Sequence, residues 1–314
     1  KPMIEQVEFG ATGLHVSQLC FGTGTNGWNG RSEQSDLGID GLSSLLLYAH
    51  SQGITFWDSA DQYGTHPHIA RALQQVDRSS VVVTTKTNSR KPNEVRADVE
   101  RFLRELKTDY IDIVLLHCLT SADWEETAAD AMDSLSRCKE EGMIRAVGTS
   151  CHDLGALRAS ASSSWPDVNL VRINYAGDAM CGEPDRVCQL IDQMVMSGKG
   201  VYGMKVVGGG SDLTRDPSRA IRFVAEQTVV HAMVMGMSSR EQVDENSGLV
   251  EHSTMATGLI IARSPRPIDS TRRSSSLRRR RGRYPSHIPR HLRRERPRHQ
   301  PDHPVHPIYR PLSY

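Results

Sequence analysis

The chain has 314 residues, of which 24% are charged and 38% are hydrophobic, and its formal net charge is +1. No apolar run approaches the roughly 18 residues of a membrane-spanning helix, so we expect no membrane span. The near-neutral total hides two unlike parts. Residues 264–314 contain 14 Arg, no Lys and three acidic residues, so they carry +11, and the preceding residues carry −10.

The six cysteines are scattered along the chain and form no CxxC pair. This spacing favours reduced thiols over a disulfide framework or a zinc site. No signal peptide is visible at the N-terminus. We therefore expect a cytoplasmic protein.

Two short segments at the start, residues 4–9 and 14–18, flank a Gly-Ala-Thr-Gly sequence at 10–13. Short apolar-alternating runs around a glycine-containing turn predict a β-hairpin. We expect this hairpin to cover one end of the domain that follows.

Apolar strand-like runs then alternate with segments of helical periodicity, eight times in succession. The predicted strands are 19–23, 55–58, 81–86, 111–117, 143–149, 168–174, 200–206 and 229–236. The predicted helices are 37–50, 68–75, 93–107, 124–141, 153–160, 184–197, 217–226 and one that begins at 239. Near-continuous apolar strands are typical of a parallel sheet covered on both faces. Eight βα units in about 230 residues favour an α/β fold of the (β/α)₈ TIM-barrel type.

The C-terminal part differs in composition, so we divide the chain into a barrel at 1–250 and an Arg/Pro-rich tail at 251–314. A tail rich in Arg, Pro, Ser and His cannot bury a core, and we expect it to be disordered. The absence of Lys beside 14 Arg also suggests an aberrant sequence that arose from a reading-frame shift. Nucleic-acid binding by charge is the least favoured interpretation.

Four polar residues are predicted at the C-terminal ends of successive strands or just beyond them: Asp58, Tyr63, Lys86 and His117. In a TIM barrel this rim carries the active site. A buried carboxylate there needs a cationic partner. Lys86 is a candidate for that partner, as a structural ion pair or as part of a site.

Together these four groups form a plausible proton donor. A tyrosine phenol has a reference pKa of about 10, and a neighbouring ammonium stabilises its phenolate form. A carboxylate holds the lysine charged, and a histidine can hydrogen-bond a carbonyl oxygen and orient it. The four groups supply no electrons, so they fit the reduction of a carbonyl by hydride if a nicotinamide lies alongside.

Several segments resemble motifs of the aldo-keto reductase superfamily, over roughly residues 4–246. The matching segments are FGATGLHVS at 9–17, WDSADQYG at 57–64, TTKT at 84–87, LLH at 115–117, IRAVGTSCH at 144–152 and GMSSREQVDEN at 236–246. The resemblance implies that Asp58, Tyr63, Lys86 and His117 are catalytic, with Tyr63 as the general acid.

The same resemblance implies a nicotinamide cofactor lying across the mouth of the barrel. The implied cofactor-binding residues are Gly22, Thr23, Ser150, Asn174, Met204, Lys205, Ser238, Gln242, Glu245 and Asn246. Two positions depart from the family pattern: Arg172 stands where many members have Gln, and Met204 where many have an aromatic residue. NADP is favoured over NAD because Arg240 can bind a 2′-phosphate.

The sequence therefore predicts an NAD(P)H-dependent oxidoreductase that reduces an aldehyde or ketone to an alcohol. The alternative is a cofactor-binding regulatory or scaffold barrel with little or no turnover. The predicted partner is a small-molecule carbonyl substrate, and no oligomeric state is indicated. No metal site is predicted, because His66 and His68 lack a carboxylate partner in the sequence pattern.

Overall fold

A two-stranded antiparallel hairpin precedes the barrel, as the sequence predicts. Strands β1 (Gln6–Glu8) and β2 (His15–Ser17) pair in a short ladder. The Phe9 ring packs 5.5 Å from the ring of Phe56 and 6.1 Å from that of Tyr202. The Ala11 amide donates to the Gly198 carbonyl at 2.7 Å. The hairpin therefore covers the end of the barrel at which the strands begin.

A closed barrel of parallel strands confirms the predicted fold class. The strands are β3 (Leu19–Gly22), β4 (Phe56–Asp58), β5 (Val82–Thr87), β6 (Ile111–Leu119), β7 (Ile144–Cys151), β8 (Val168–Arg172), β9 (Gly200–Met204) and β10 (Ala232–Gly236). They pair in sequence order, and β10 closes the ring against β3. All six residues of β5 are buried, as expected of a strand covered on both faces.

Helices surround the barrel. They are α1 (Gly38–Ser51), α2 (His66–Leu73), α3 (Pro92–Leu106), α4 (Trp124–Thr127), α5 (Ala129–Glu140), α6 (Leu154–Ser162), α7 (Pro184–Met196), α8 (Pro217–Gln227) and α9 (Arg240–Ile261). The Asp153 carboxylate caps α6 by accepting from the amides of Gly155 and Ala156 at 2.7 and 3.1 Å.

The helix predicted over 124–141 is wrong in one respect, because it is two helices separated at Ala128. Ala128 has φ −110° and ψ 13°, outside helical geometry. The Thr127 hydroxyl donates to the Asp123 and Trp124 carbonyls at 3.3 and 3.5 Å, and the same carbonyls accept the backbone amides of Thr127 and Ala128 at 3.0 and 2.8 Å. The Trp124 indole meanwhile donates to the Ala156 carbonyl at 3.2 Å, which anchors the first segment to α6.

The computed structural model describes residues 4–180, 182–208 and 212–261, and only the backbone for residue 212 and residues 255–261. Helix α9 continues past residue 250, where the sequence predicts the barrel to end. The division into two domains at that position stays a prediction, and the predicted tail from residue 262 onward lies outside the described residues. Among the helices described, none is long and apolar enough to cross a bilayer.

Candidate active site

A buried ion pair lies where β4 and β5 end. The Lys86 ammonium donates to Asp58 Oδ1 at 2.6 Å and to the Ser59 carbonyl at 2.7 Å. Both side chains are almost fully buried, at 1% and 6% exposure. Burial disfavours the ammonium, but Asp58 and Tyr63 outweigh this and raise the pKa of Lys86 above its usual value. Lys86 therefore carries its charge at neutral pH.

Tyr202 is a member of this cluster that the sequence analysis missed. Its hydroxyl donates to Asp58 Oδ2 at 2.7 Å from a fully buried position in β9. Burial and the Asp58 charge raise the pKa of Tyr202 well above its usual value, so the hydroxyl stays protonated as a donor. A tyrosine within the apolar run 200–206 is the sequence signal that points to it, because a buried phenol needs a hydrogen-bond partner.

Tyr63 lies in a tight turn beside this pair. It ends the 3₁₀ turn Asp61–Tyr63, and the Lys86 ammonium is 5.0 Å from the centroid of its half-buried ring. Burial raises the pKa of the Tyr63 phenol, and the positive charge of Lys86 offsets only part of that rise. The sequence argument, which considered only the lowering by lysine, omitted this desolvation.

The glycine loop after β3 packs directly on the Tyr63 ring. A Cβ atom at Gly24 or at Gly27 would collide with carbon atoms of that ring. Both positions therefore require glycine for close approach rather than for unusual backbone angles. This contact confines the Tyr63 ring against the barrel mouth.

Arg101 anchors the turn that carries Tyr63. Its guanidinium forms a bidentate pair with Asp61, at 2.7 and 2.8 Å, and also contacts Asp98 at 2.9 Å and Glu105 at 3.0 Å. Bidentate pairs of this kind restrict geometry more than single contacts do. Helix α3, which contains Arg101, thus fixes the start of the Tyr63 turn.

His117 completes the group at the end of β6. Its ring lies 5.9 Å from that of Tyr63, nearly perpendicular to it, and its Nδ1 is buried without a hydrogen-bond partner. Burial, followed by the charge of Lys86, holds the pKa of His117 well below its usual range, so the imidazole is neutral. The structure thus brings Asp58, Tyr63, Lys86 and His117 together at one rim.

Two of the predicted cofactor residues lie inside the protein framework next to Asp58. Gly22 is the last residue of β3 and pairs in register with Asp58. The Thr23 hydroxyl bonds the Asp58 carbonyl at 2.8 Å and the Thr65 hydroxyl at 2.7 Å. Thr23 is fully buried, so its side chain supports the backbone of the Asp58 strand.

Ser150 and Asn174 are both fully buried, and their surroundings differ. The Ser150 hydroxyl lies 3.4 Å from His152 Nε2. The Asn174 amide group donates to the carbonyls of Asp178 and Lys205, and its oxygen accepts from the amides of Ala176 and Asp178. Both ends of the Asn174 amide are thus occupied within the protein, which disfavours it as a direct ligand of a carboxamide.

Met204 and Lys205 lie at the end of β9, beside the predicted nicotinamide region. Both are half-buried, and Met204 accepts a backbone hydrogen bond from Ile173 at 3.0 Å. Lys205 has a positive φ of 62°, which is uncommon for a residue with a side chain. Burial and the charge of Arg172 lower the pKa of Lys205.

The remaining predicted cofactor residues lie at the start of α9. Gln242, Glu245 and Asn246 follow helical spacing, and the Gln242 side chain accepts from the Ser238 amide at 2.7 Å. The exposed Arg240 guanidinium lies 4.8 Å above the Tyr48 ring. This stretch therefore presents hydroxyl, amide and guanidinium groups next to one another.

Comparison with known proteins agrees with this architecture. The aldo/keto reductase family model matches residues 18–218. A solved Pseudomonas aeruginosa structure assigned to the aldo-keto reductases superposes with a TM-score of 0.66 at 24% identity. The match covers 79% of this chain and 95% of that one, so the two share a fold.

Two curated relatives are similar over part of their length. The Glycine max protein named "Probable aldo-keto reductase 1" is 34% identical over 164 residues, which are 47% of this chain and 45% of the relative. The Schizosaccharomyces pombe aldo-keto reductase yakc, whose name specifies NADP(+), is 25% identical over 189 residues, 55% of this chain and 49% of the relative. The chain thus spans about half the length of these relatives. Because the family model covers most of the barrel, the chain belongs to the aldo/keto reductase family.

Proposed function

We propose that this protein is a nicotinamide-dependent carbonyl reductase that converts an aldehyde or ketone to an alcohol. The observation that supports this function best is the cluster of Asp58, Tyr63, Lys86 and His117 at the C-terminal rim of a barrel of this family. Hydride addition at the carbonyl carbon leaves negative charge on the oxygen, and the reaction is complete when that oxygen receives a proton. The cluster offers a proton source at that position.

Tyr63 is the proton donor in this proposal. Because burial raises the pKa of its phenol, Tyr63 is protonated at neutral pH and able to donate. The Lys86 ammonium next to the ring stabilises the phenolate that forms when the proton leaves. Asp58 and the Ser59 carbonyl hold Lys86 in place. The Tyr202 hydroxyl satisfies the second Asp58 oxygen, so the carboxylate remains fixed during turnover.

His117 orients the substrate carbonyl in this proposal. A neutral imidazole donates a single N–H, which is suited to a carbonyl oxygen that gains charge. Its Nδ1 has no partner among the residues that the structure describes, so the ring has unused hydrogen-bonding capacity there. The rings of His117 and Tyr63 lie 5.9 Å apart, which is close enough for both side chains to reach one substrate oxygen in this proposal.

The residues of this rim fit a dinucleotide in most respects. Bound nicotinamide supplies the hydride. Lys205 and Arg240 provide positive charge suited to phosphates, and the Ser239 hydroxyl lies beside Arg240 at the helix start. Asn174 does not fit, because its amide is occupied within the protein. We favour NADP over NAD because Arg240 is positioned on the exposed first turn of α9, as a 2′-phosphate ligand requires.

The proposal is tested by isotope transfer. Purified protein is incubated with NADPH carrying deuterium at both C4 positions of the nicotinamide, or with the matching NADH, and a panel of aldehydes. We expect deuterium in the alcohol product and faster turnover with NADPH. Tight cofactor binding without any deuterated alcohol would instead support a scaffold or regulatory protein. Faster turnover with NADH would contradict the role proposed for Arg240.

A further inference from the structure

The rim beside His117 carries positive charge that the described residues do not balance. Within the described part of the chain, neither Arg90 nor Arg172 has a carboxylate within ion-pair distance. Arg90 donates only to backbone carbonyls, including that of His117 at 2.6 Å. The nearby Asp58 carboxylate is occupied by Lys86 and a tyrosine hydroxyl. Unbalanced guanidinium groups at a barrel mouth lower the energy of a bound anion.

Arg172 has an incompletely used hydrogen-bonding edge. Its Nη2 donates to His152 Nδ1 at 2.8 Å, and its Nε is buried with no hydrogen-bond partner in the described part of the chain. Nε and Nη2 form the side of a guanidinium that binds a carboxylate through two parallel hydrogen bonds. In this structure that edge meets one neutral imidazole only. A carboxylate on the same edge would replace one neutral hydrogen bond with two charge-assisted ones.

The positive charge beside His117 lowers the pKa of two imidazoles, those of His117 and His152. Burial and then Lys86 lower the pKa of His117, with further contributions from Arg90 and Arg172. Burial and then Arg172 lower the pKa of His152 to about 3. Both rings are therefore neutral at physiological pH, and they lie 6.1 Å apart at nearly a right angle. The positive charge of this region therefore comes from its arginine and lysine side chains and not from the two histidines.

The backbone is unusual at this position. Cys118 has a positive φ of 57°, and the pairing register between β6 and β7 shifts between Leu116 and Leu119. Such bulges and left-handed residues redirect side chains and often occur at functional sites. This distortion brings the Cys118 sulfur within 3.8 Å of His152 Nε2.

The same side chains resemble a metal site, but their hydrogen bonds favour an anion. His117, Cys118 and His152 offer ligand atoms within 4.8 Å of one another. A guanidinium can only donate, so His152 Nδ1 accepts from Arg172 and its Nε2 carries the proton. A metal at Nε2 would have to displace that proton beside a cation. A negatively charged group does not need to displace the Nε2 proton, and the nearby cation attracts it.

We propose that the carbonyl substrate of this site carries a carboxylate, which Arg172 binds while His117 holds the carbonyl. This inference rests on the proposed reductase function and narrows it to oxo acids and aldehyde acids. Arg90 contributes long-range attraction from beneath the His117 backbone. His152 acts as a positioning residue that holds the guanidinium of Arg172 until substrate arrives.

The test compares substrates that differ only in charge. The specificity constant kcat/KM is measured with NADPH for benzaldehyde and for 2-, 3- and 4-carboxybenzaldehyde, which place the carboxylate at three distances from the carbonyl. We expect at least one acid to be preferred over benzaldehyde by about tenfold or more, as charge-assisted hydrogen bonds allow. Arg172→Gln should remove that preference, and Arg172→Lys should retain part of it. The control is Arg71→Gln on the exposed face of α2, which should keep the preference unchanged.

A binding measurement supplies an independent readout. Benzoate is tested as an inhibitor of benzaldehyde reduction, with benzamide as its uncharged counterpart. Arg172→Gln should raise the inhibition constant of benzoate about tenfold and leave that of benzamide nearly unchanged. The melting temperature of each variant is measured in parallel to detect a folding defect. If Arg172→Gln is unfolded, Arg172→Lys is compared with the unchanged protein instead.

The outcomes separate this inference from the reductase proposal. Absence of turnover with every aldehyde contradicts both. Turnover of benzaldehyde without preference for any carboxylated isomer overturns the carboxylate subsite and leaves the reductase intact. A higher dissociation constant for NADPH in Arg172→Gln, with an unchanged ratio of acid to neutral turnover, would assign Arg172 to the cofactor and overturn the inference.

Discussion

Two buried carboxylates at opposite ends of the barrel illustrate how its ends differ. Asp112, near the start of β6, accepts from Arg78 at 2.7 Å, from Arg145 at 3.0 Å and from the Val83 amide at 2.9 Å. Asp58, at the end of β4, is bound by Lys86 and by a tyrosine hydroxyl. Each carboxylate is therefore stabilised by cationic and neutral donors.

The two ends differ in whether the polar side chains around each carboxylate have hydrogen-bond partners. Both oxygens of Asp112 accept hydrogen bonds, and the two arginines also lie over the Tyr110 ring. Around Asp58, two side chains of the rim keep buried nitrogen atoms without partners, namely His117 and Arg172. A satisfied buried network stabilises a fold, whereas unsatisfied groups at a rim are available for a ligand. The comparison assigns stability to one end and chemistry to the other.

A large contrast between the two ends is expected from the same substitution at both carboxylates. Asp58→Asn should lower kcat by about 10²-fold, because Lys86 loses its charged partner and supports the Tyr63 phenolate less well. Asp112→Asn should leave kcat within about twofold and lower the free energy of unfolding by about 3 kcal/mol, because buried arginine pairing is lost. Steady-state kinetics and urea unfolding of both variants measure the two effects. Equal losses of kcat would contradict the division between the ends.

A second contrast concerns packing on the Tyr63 ring. Gly24→Ala should lower kcat/KM by about 10- to 100-fold, because a methyl group at Gly24 displaces the ring from its position. Gly248→Ala is the matched control, since a Cβ at this position in α9 meets nothing within 4 Å. Retention of full activity by Gly24→Ala would show that the position of Tyr63 tolerates this shift.

The smallest expected effect is a pH dependence of stability at the end of the barrel that carries Asp58. The pKa of His152 is about 3 in the folded protein, because of burial and the charge of Arg172. It is about 6.5 in an unfolded chain. Between these values the unfolded chain binds a proton that the folded one does not, so stability decreases as the pH falls. The slope is about 1.4 kcal/mol per pH unit.

Urea unfolding at pH 6.5 and pH 5 measures this term. The loss should be about 2 kcal/mol smaller in His152→Gln than in the unchanged protein, by the same slope. His15→Gln, on the exposed face of the hairpin, is the control. An identical pH dependence in both variants would show that His152 is not held neutral in the folded state.

Much of the fold could be predicted because the information is local. Apolar runs and helical periodicity identify each strand and helix, and Asp153 is recognisable as a cap from its position alone. The break between α4 and α5 was missed because the helix that precedes Ala128 is anchored by the docking of the Trp124 indole on α6. That contact joins segments far apart in the chain, so no local pattern encodes it.

The candidate site was predictable only where residues follow strand ends. Asp58, Lys86 and His117 are placed by the alternation of strands and helices. The Tyr202 bond to Asp58 depends on the closure of the barrel across 144 residues. Likewise, the hydrogen bonds that occupy the Asn174 amide depend on the turn that follows it. The cofactor-binding roles stay predictions.

The central claim, that Tyr63 donates the proton, is tested most directly by comparing Tyr63→Phe with Tyr202→Phe. Both changes remove one hydroxyl near Asp58 and keep the ring. We expect Tyr63→Phe to lower kcat by about 10³-fold or more with NADPH affinity preserved, and Tyr202→Phe to lower it by at most about tenfold. If Tyr63→Phe keeps kcat within tenfold of the unchanged protein, or if Tyr202→Phe causes the larger loss, the proton donor has been assigned to the wrong residue.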